Sequence, residues 1–401
     1  MTSFPDHLPV LAQSPRDAAF VQAPWAFYDR LRAAGPMVVW QEYGMACTGH
    51  HALVGQLLRN RRLGREAPPG VLPEPPAHLA PFYANEAHSM LEREPPVHTR
   101  LRGLVARAFT SRRIAGLGPE IATLSADLIA GFSGDAVDIL PAWCEKIPVI
   151  IICRLLGVPE EMAGQLLAWS HDMVAMYQAR RDRTVEDRAV AATLAFSAFL
   201  RGHIEIRRRA PRDDLLSALI AAEEAGDRLS ADELISTCIL LLNAGHEATV
   251  HALGNGIKAV LESGLPPQAL FAEDRAADSV EEILRFDPPL HLFTRCVLED
   301  CNIAGQDLPV GAQIGLLLGA AGRDPAVYAT PDRFDPERGG PAHHALGAGI
   351  HFCVGAPLAR LEMRVALADL FARLPGLRLA ATPRYADRYH FRGLNQLMVA
   401  A

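Results

Sequence analysis

The sequence predicts a mainly α fold with small β-sheets, built as one domain over residues 1–401. Three observations carry that expectation. A helical pattern runs from the capping box Ser230-Ala231-Asp232-Glu233 to Glu262, with Gly264 and Pro266 as stop signals. At 1.5 Å per residue it is roughly 45–50 Å long, enough to cross a whole domain. Successive amphipathic stretches fill the region from about 118 to 228. The extended patterns, by contrast, are only a few residues each and scattered from end to end.

Composition narrows the function classes. Half of the residues are apolar, ample for a large core, and the net charge of −7 gives no reason to expect nucleic acid as a partner. The seven cysteines (Cys47, Cys144, Cys153, Cys238, Cys296, Cys301, Cys353) are odd in number and contain no Cys-x-x-Cys pair. That argues against a disulfide framework or a zinc cage, and for a reducing compartment. Met1–His7 shows no basic segment leading into an apolar run, and no stretch is expected to be apolar over the length of a bilayer. A cytoplasmic monomer with no membrane contact is the expectation.

Taken in order, residues 24–34 read as a helix. Met37–Trp40 and Met45–Thr48 read as a hairpin turning at Glu42-Tyr43-Gly44, and His51–Arg59 as a short helix. Residues 64–96 carry eight prolines and are expected to form a long irregular loop. A helix then opens at Glu94–Arg102, with His98 and Arg102 four residues apart on one face. Residues 160–209 read as lid helices. There Trp169, Met173, Met176 and Tyr177 form a stripe that either packs in the core or, with Phe196 and Phe199, roofs a cavity. Arg180-Arg181-Asp182-Arg183 breaks the helices between them.

The central helix, 230–263, is apolar at Cys238–Leu242 and must be buried there. Asn243-Ala244-Gly245-His246-Glu247-Ala248-Thr249 then places small and polar residues inside a buried run, and a buried carboxylate needs a reason. His246-Glu247 looks like the start of a zinc hydrolase His-Glu-x-x-His. However, His251 falls at i+5, roughly 140° round the helix, so the two imidazoles do not share a face. Glu282 and Arg285 pair at i, i+3 on a helix ending at Pro288-Pro289. Leu290–Arg295, Asn302–Gly305, Gln313–Leu318 and Phe391–Val399 read as short strands.

Residues 345–373 hold the densest signal. Ala345-Leu346-Gly347-Ala348-Gly349-Ile350-His351-Phe352-Cys353-Val354-Gly355 is a glycine-punctuated loop that delivers one cysteine to the start of a helix beginning Ala356-Pro357. Unpaired N–H groups and the positive dipole end favour a thiolate there. Gly347, Gly349 and Gly355 are expected to supply positive φ and a close approach to a flat ligand. A thiolate so held is a nucleophile or a metal ligand.

This loop resembles the haem-ligand signature of the cytochrome P450 monooxygenases, through Gly347, Gly349, His351, Cys353, Gly355, Leu358, Ala359 and Arg360. It departs from it at Leu346, where a phenylalanine is usual. The resemblance implies that Cys353 is the axial metal ligand and that His98, Arg102, Arg295 and His351 bind the propionates. It makes residues 64–96 the loop over the distal face and Leu242, Ala244, Leu290, Leu292 and Phe293 the edge of the substrate pocket. Ala244–Ala248 resembles the oxygen-activation motif Ala-Gly-x-Glu-Thr, with Glu247 as the proton-relaying acid. Ala248 stands where the threonine is expected and Thr249 one step on, so a water or a substrate hydroxyl must complete proton delivery. Glu282 and Arg285 resemble a structural Glu-x-x-Arg element whose third partner is Arg333 or Arg338.

The resemblance further implies haem b as cofactor and electrons from NAD(P)H through a separate ferredoxin or flavodoxin-type donor. The reaction would be oxygen insertion into a C–H or C=C bond of a small apolar organic substrate, chemistry common in secondary metabolism. Arg107, Arg112, Arg113, Arg360 and Arg364 would form a positive patch for the donor. A peroxide-driven enzyme of the same fold and a non-catalytic haem-binding sensor or recruiting module are the alternatives.

Overall fold

The structure, a computed structural model, describes residues 8–224 and 229–401. The opening Met1–His7 and the last residues of the helical stretch read to 228 lie outside the described residues.

The central helix spans Ala231–Ser263. It begins as a reciprocal capping box: the Ser230 hydroxyl accepts from the Glu233 N–H at 3.2 Å and the Glu233 carboxylate from the Ser230 N–H at 2.8 Å. It ends at Gly264 in the left-handed region, φ 72°, where a side chain would be strained. Helices Lys146–Leu156, Ala163–Val174, Arg183–Arg209, Ala276–Phe286 and Ala356–Arg373 all pack against it. That wrapping buries nearly its whole length, which is why its sequence is apolar around the cylinder and not along one stripe. One apolar cluster runs continuously from Val21 to Val399.

Six short strands form the largest sheet, in the order Val10–Leu11, Val38–Trp40, Met45–Thr48, Gln313–Leu317, Leu292–Val297, Leu63–Gly64. The hairpin predicted at Met37–Thr48 is present and antiparallel, its first strand beginning at Val38. Leu292–Val297 pairs antiparallel with Gln313–Leu317, fixing Arg295 opposite Ile314. Cys301–Ile303 and Gln306–Leu308 close a small hairpin, and the C-terminal Met398–Ala400 pairs with Val137–Asp138 and Arg378–Leu379.

Two expectations need correcting. Residues 64–96 are not irregular throughout: Gly64 belongs to the sheet, and Ala80–Glu86 is a helix with Pro81 in its first turn, where a missing N–H does no harm. One helix, Arg183–Arg209, does reach spanning length and apolarity, with a mean hydropathy of 1.2 over its best window. Its alanine-rich middle accounts for that value, and it packs against Ala163–Val174 and the central helix.

All seven cysteines are free thiols; six are buried and Cys353 is partly exposed.

Candidate active site

Cys353 sits where the chain stops turning and starts a helix. Its N–H donates to the Leu346 carbonyl at 3.0 Å, and the Gly347 N–H donates to the His344 carbonyl at 2.9 Å, closing the loop on itself. Gly347 and Gly349 adopt φ of 72° and 71°. At Gly349 a Cβ would lie 2.5 Å from the Leu58 carbonyl oxygen, so this glycine serves loop packing rather than ligand approach. Gly355 is the helix N-cap at φ −80°, so the positive φ expected for it is absent. Burial pushes the Cys353 thiol above its ordinary value, against the backbone N–H groups of Gly355 and Ala356 and the charges of Arg102 and Arg360. The helix start alone therefore does not make a thiolate here; a cation facing the sulfur would.

Cys353 borders a cavity of about 420 Å³. His98, Arg102, Arg295 and His351 border the same cavity, although they come from a helix, a strand and a loop. The His98 and His351 rings pack at 4.3 Å between centroids. His351 is held by Glu94 at 2.9 Å, and Arg102 donates to the Phe352 carbonyl at 2.6 Å. Arg295 is only 2% exposed, and among the described residues its one side-chain hydrogen bond is to the carbonyl of its neighbour Thr294, 2.9 Å away. Burial and then the charge of Arg65 lower the Arg295 guanidinium to about 10. Burial, with His351 and Arg102 adding like charge, lowers His98 to about 4. Two guanidinium groups and two imidazoles thus face one space, and burial of Arg295 and His98 disfavours their charged forms as long as no anion lies opposite them.

The central helix supplies another wall. Ala244, Glu247, Ala248 and Thr249 all border the cavity, so moving the hydroxyl by one residue does not take Thr249 out of the site. Leu290, Leu292 and Phe293 border it as well. Leu242 does not: it is turned into the core, and its carbonyl accepts from His246 Nδ1 at 2.6 Å. The pocket edge assigned to Leu242 is taken instead by Leu240 and Leu241. Of the aromatic and methionine stripe, Met173 and Tyr177 reach the cavity, whereas Met176 is core and Trp169 packs on Phe196 and Phe199. Both readings of the stripe hold in part.

Glu247 is 3% exposed. Burial alone would raise its carboxyl, but the histidines around it (His246, His171 and His251) outweigh that and hold it at about 2. His171, from Ala163–Val174, was given no role from the sequence, nor were Arg65 in the cavity wall, Glu94, which holds His351, or Asn243, also in the wall. Only long-range folding brings the first three to this site. Asn243 carried a local signal, a polar residue following a buried apolar run.

The Glu282 cluster lies away from the cavity and is closed. Arg285 grips Glu282 at 2.6 and 2.8 Å, and Arg338 Nε sits 3.2 Å from both carboxylate oxygens. Arg338, not Arg333, is the third partner; Arg333 offers only its backbone carbonyl and its side chain is exposed. In the basic patch, Arg113 pairs with Asp213 at 3.0 Å and Arg360 with Glu281 at 2.6 Å, while Arg112 and Arg364 are exposed.

A family model described as Cytochrome P450 matches residues 277–374. Cytochrome P450 107B1 of Saccharopolyspora erythraea is 38% identical over 86% of this chain and 82% of its own length. The 6-deoxyerythronolide B hydroxylase of the same organism is 42% identical over 78% and 77% respectively. Among solved structures, P450BioI in complex with an acyl carrier protein ligated by hexadec-9Z-enoic acid superposes with a TM-score of 0.90 at 31% identity, covering 95% of this chain and 99% of that one.

Proposed function

The chain belongs to the cytochrome P450 family and is a monooxygenase, and from that premise we propose that Cys353 is the axial thiolate of a haem b seated in this cavity. The residues present fit such a group. Arg295 is a buried guanidinium and His98 a buried imidazole, neither with a carboxylate in hydrogen-bond contact among the described residues, and a pair of propionates would supply one and favour their charged forms. The Cys353 sulfur, unfavourable as a bare buried anion, becomes favourable opposite a metal cation. When bound, haem supplies dioxygen activation, and thiolate donation favours O–O cleavage. The rest is the protein's part.

His98, Arg102, Arg295 and His351 fix orientation. Glu247 stays ionised and can accept a proton on the side of half-exposed His171, then release it towards the cavity. Because Ala248 has no hydroxyl, a water or a hydroxyl of the substrate completes that path. Asn243 supports the second option, since its Oδ1 is buried in the cavity wall without a partner and would accept from a substrate O–H. The substrate is a small, largely apolar organic molecule bearing a hydroxyl, which is hydroxylated or epoxidised. Electrons come from NAD(P)H through a ferredoxin or flavodoxin-type donor that docks near Arg112 and Arg364. The setting is cytoplasmic.

The observation that carries this reading is the convergence of Cys353, two arginines, two histidines and Glu247 on one cavity. Replacing Cys353 by serine should abolish the carbon-monoxide absorption band of a thiolate-ligated haem and all turnover. Retention of either overturns the reading. Product formation with NAD(P)H plus donor, with peroxide, and with neither separates the monooxygenase from a peroxide-driven enzyme and from a non-catalytic binder.

A further inference from the structure

Glu247 faces three imidazoles, and a single proton path past His171 does not account for all of them. His171 Nε2 lies 3.2 Å and His246 Nε2 3.6 Å from the same oxygen, Oε1, while His251 Nε2 lies 4.0 Å from Oε2. None of these contacts has hydrogen-bond geometry: His246 Nε2, His251 Nε2 and Glu247 Oε1 are all buried without a hydrogen-bond partner. The reason is clearest at His246, 1% exposed. Its Nδ1 faces the Leu242 carbonyl at 2.6 Å, and a carbonyl only accepts, so Nδ1 carries the proton. In the neutral ring Nε2 is then a bare lone pair aimed at a carboxylate oxygen. With that ring neutral, two acceptors face each other in a buried place, and a cation between them, a proton or a metal ion, would satisfy both.

We propose that His171, His246 and Glu247 form a binding site for a divalent transition-metal ion of the zinc type, linking the lid helix Ala163–Val174 to the central helix. Two imidazoles and a carboxylate are a zinc donor set. With metal–ligand bonds of about 2.0–2.2 Å, a tetrahedral cage has ligand–ligand edges of about 3.3–3.5 Å, and the two contacts to Glu247 bracket that value. All three donor atoms lie within 4.8 Å of one another. The longest edge therefore closes by a small movement of His171, whose side chain is 43% exposed and free to turn. The Nδ1–H bond from His246 to Leu242 is the usual support for a ligating imidazole, fixing the tautomer that presents Nε2. His171 opens the fourth position to solvent. Glu145 and Arg388 lie within electrostatic reach, one favouring a cation and the other opposing it.

The hydrolase spacing rejected from the sequence stays rejected, because the ligands come from two helices and not from one turn. Binding does not depend on the haem. Its effect on turnover does rest on the proton-delivery reading, since the ion would occupy the carboxylate that handles protons and would tie the lid to its floor.

The test is a Zn²⁺ titration of the purified haem-loaded protein against a chromophoric zinc indicator, with His171→Ala, His171→Cys and His246→Ala alongside. One ion should bind per wild-type chain. His171→Ala and His246→Ala should weaken it by at least about tenfold, and His171→Cys, which restores a ligand, should recover it. His171 is half-exposed, so its loss leaves the fold intact, and an unchanged Zn²⁺ affinity in His171→Ala overturns the site. Turnover of the wild type should fall on adding Zn²⁺ and return with a chelator, while His171→Ala is unaffected. Zinc that binds through His171 and leaves turnover untouched would uphold the site and overturn the proton-handling role of Glu247.

Discussion

Arg285 and Arg295 are ten residues apart and both buried, at 3% and 2% exposure. Arg285 donates to both oxygens of Glu282 and to the carbonyls of Gly322, Pro331 and Arg333. Among the described residues Arg295 donates to Thr294 alone. The same side chain at the same depth is thus saturated in one place and unsatisfied in the other. A buried charge costs several kcal/mol unless it is paired and hydrogen-bonded. The closed cluster therefore explains itself as structure. The open one requires something outside the chain, and Arg295 lines the same cavity that Cys353 borders.

Breaking the closed cluster should have the larger effect. Glu282→Leu would leave Arg285 and Arg338 as uncompensated buried charges, and removing one partner of such a network costs about 3–5 kcal/mol. That is a large part of the 5–15 kcal/mol that holds a typical protein folded. The expected outcome is a chain that is mostly insoluble or melts far below the wild type in thermal denaturation. A loss under about 1 kcal/mol would show that the cluster is not a structural lock.

The open cluster should respond with the opposite pattern. Arg295→Met removes a cation that has no acidic partner among the described residues, so thermal stability should hold or rise slightly. Haem retention should fall, because charge-assisted bonds to a carboxylate contribute about 1.5–3 kcal/mol, or roughly tenfold to a hundredfold in affinity. Haem transfer to a scavenging apoprotein, timed for both proteins, measures this directly. Equal transfer rates would remove Arg295 from the cofactor site and erase the contrast.

This contrast also shows what could be read in the sequence. The capping box at Ser230, the stop at Gly264, the Val38–Thr48 hairpin and the cysteine loop are local patterns, each fixed by backbone chemistry within a few residues, and each is present as read. Choices that depend on how helices pack were not legible. Leu242 and Leu241 are neighbours of the same type, and only the rotation of the central helix against Lys146–Leu156 puts one in the core and the other on the cavity. Arg333 and Arg338 are both arginines in one polar turn, and the fold of Pro331–Arg338 around Glu282 decides between them. His171 lies far along the chain from Glu247, and nothing near it in sequence announces the contact. Gly355 shows the reverse error: a glycine in a glycine-rich motif invites a left-handed reading, yet its conformation is one any residue could adopt.

A carboxylate outside both clusters sharpens the rule that an unsatisfied group points to a ligand, because it is unsatisfied and does not border the cavity. Glu362, in the helix Ala356–Arg373, is fully buried with both oxygens unpartnered. It is not among the residues bordering the cavity. Burial pushes its carboxyl well above the ordinary value, so in the folded protein it is protonated. With the folded value raised above the unfolded one, ionisation favours the unfolded chain. The protonated side chain is compatible with folding below the unfolded value, near 4.5, and stability is lost as pH rises above that. Glu362→Met keeps the volume and removes both the polar atoms and the titration. The expected gain is about 1–3 kcal/mol near pH 4.5, from no longer burying an unpaired polar group, and it should grow as pH rises towards neutral, where ionisation favours the unfolded wild type. Denaturant unfolding of both proteins across that range measures it. A gain independent of pH would mean that Glu362 does not titrate through folding; a loss would mean that its carboxyl has a partner in solution, and that an unpartnered group away from the cavity can be as structural as the Glu282 cluster.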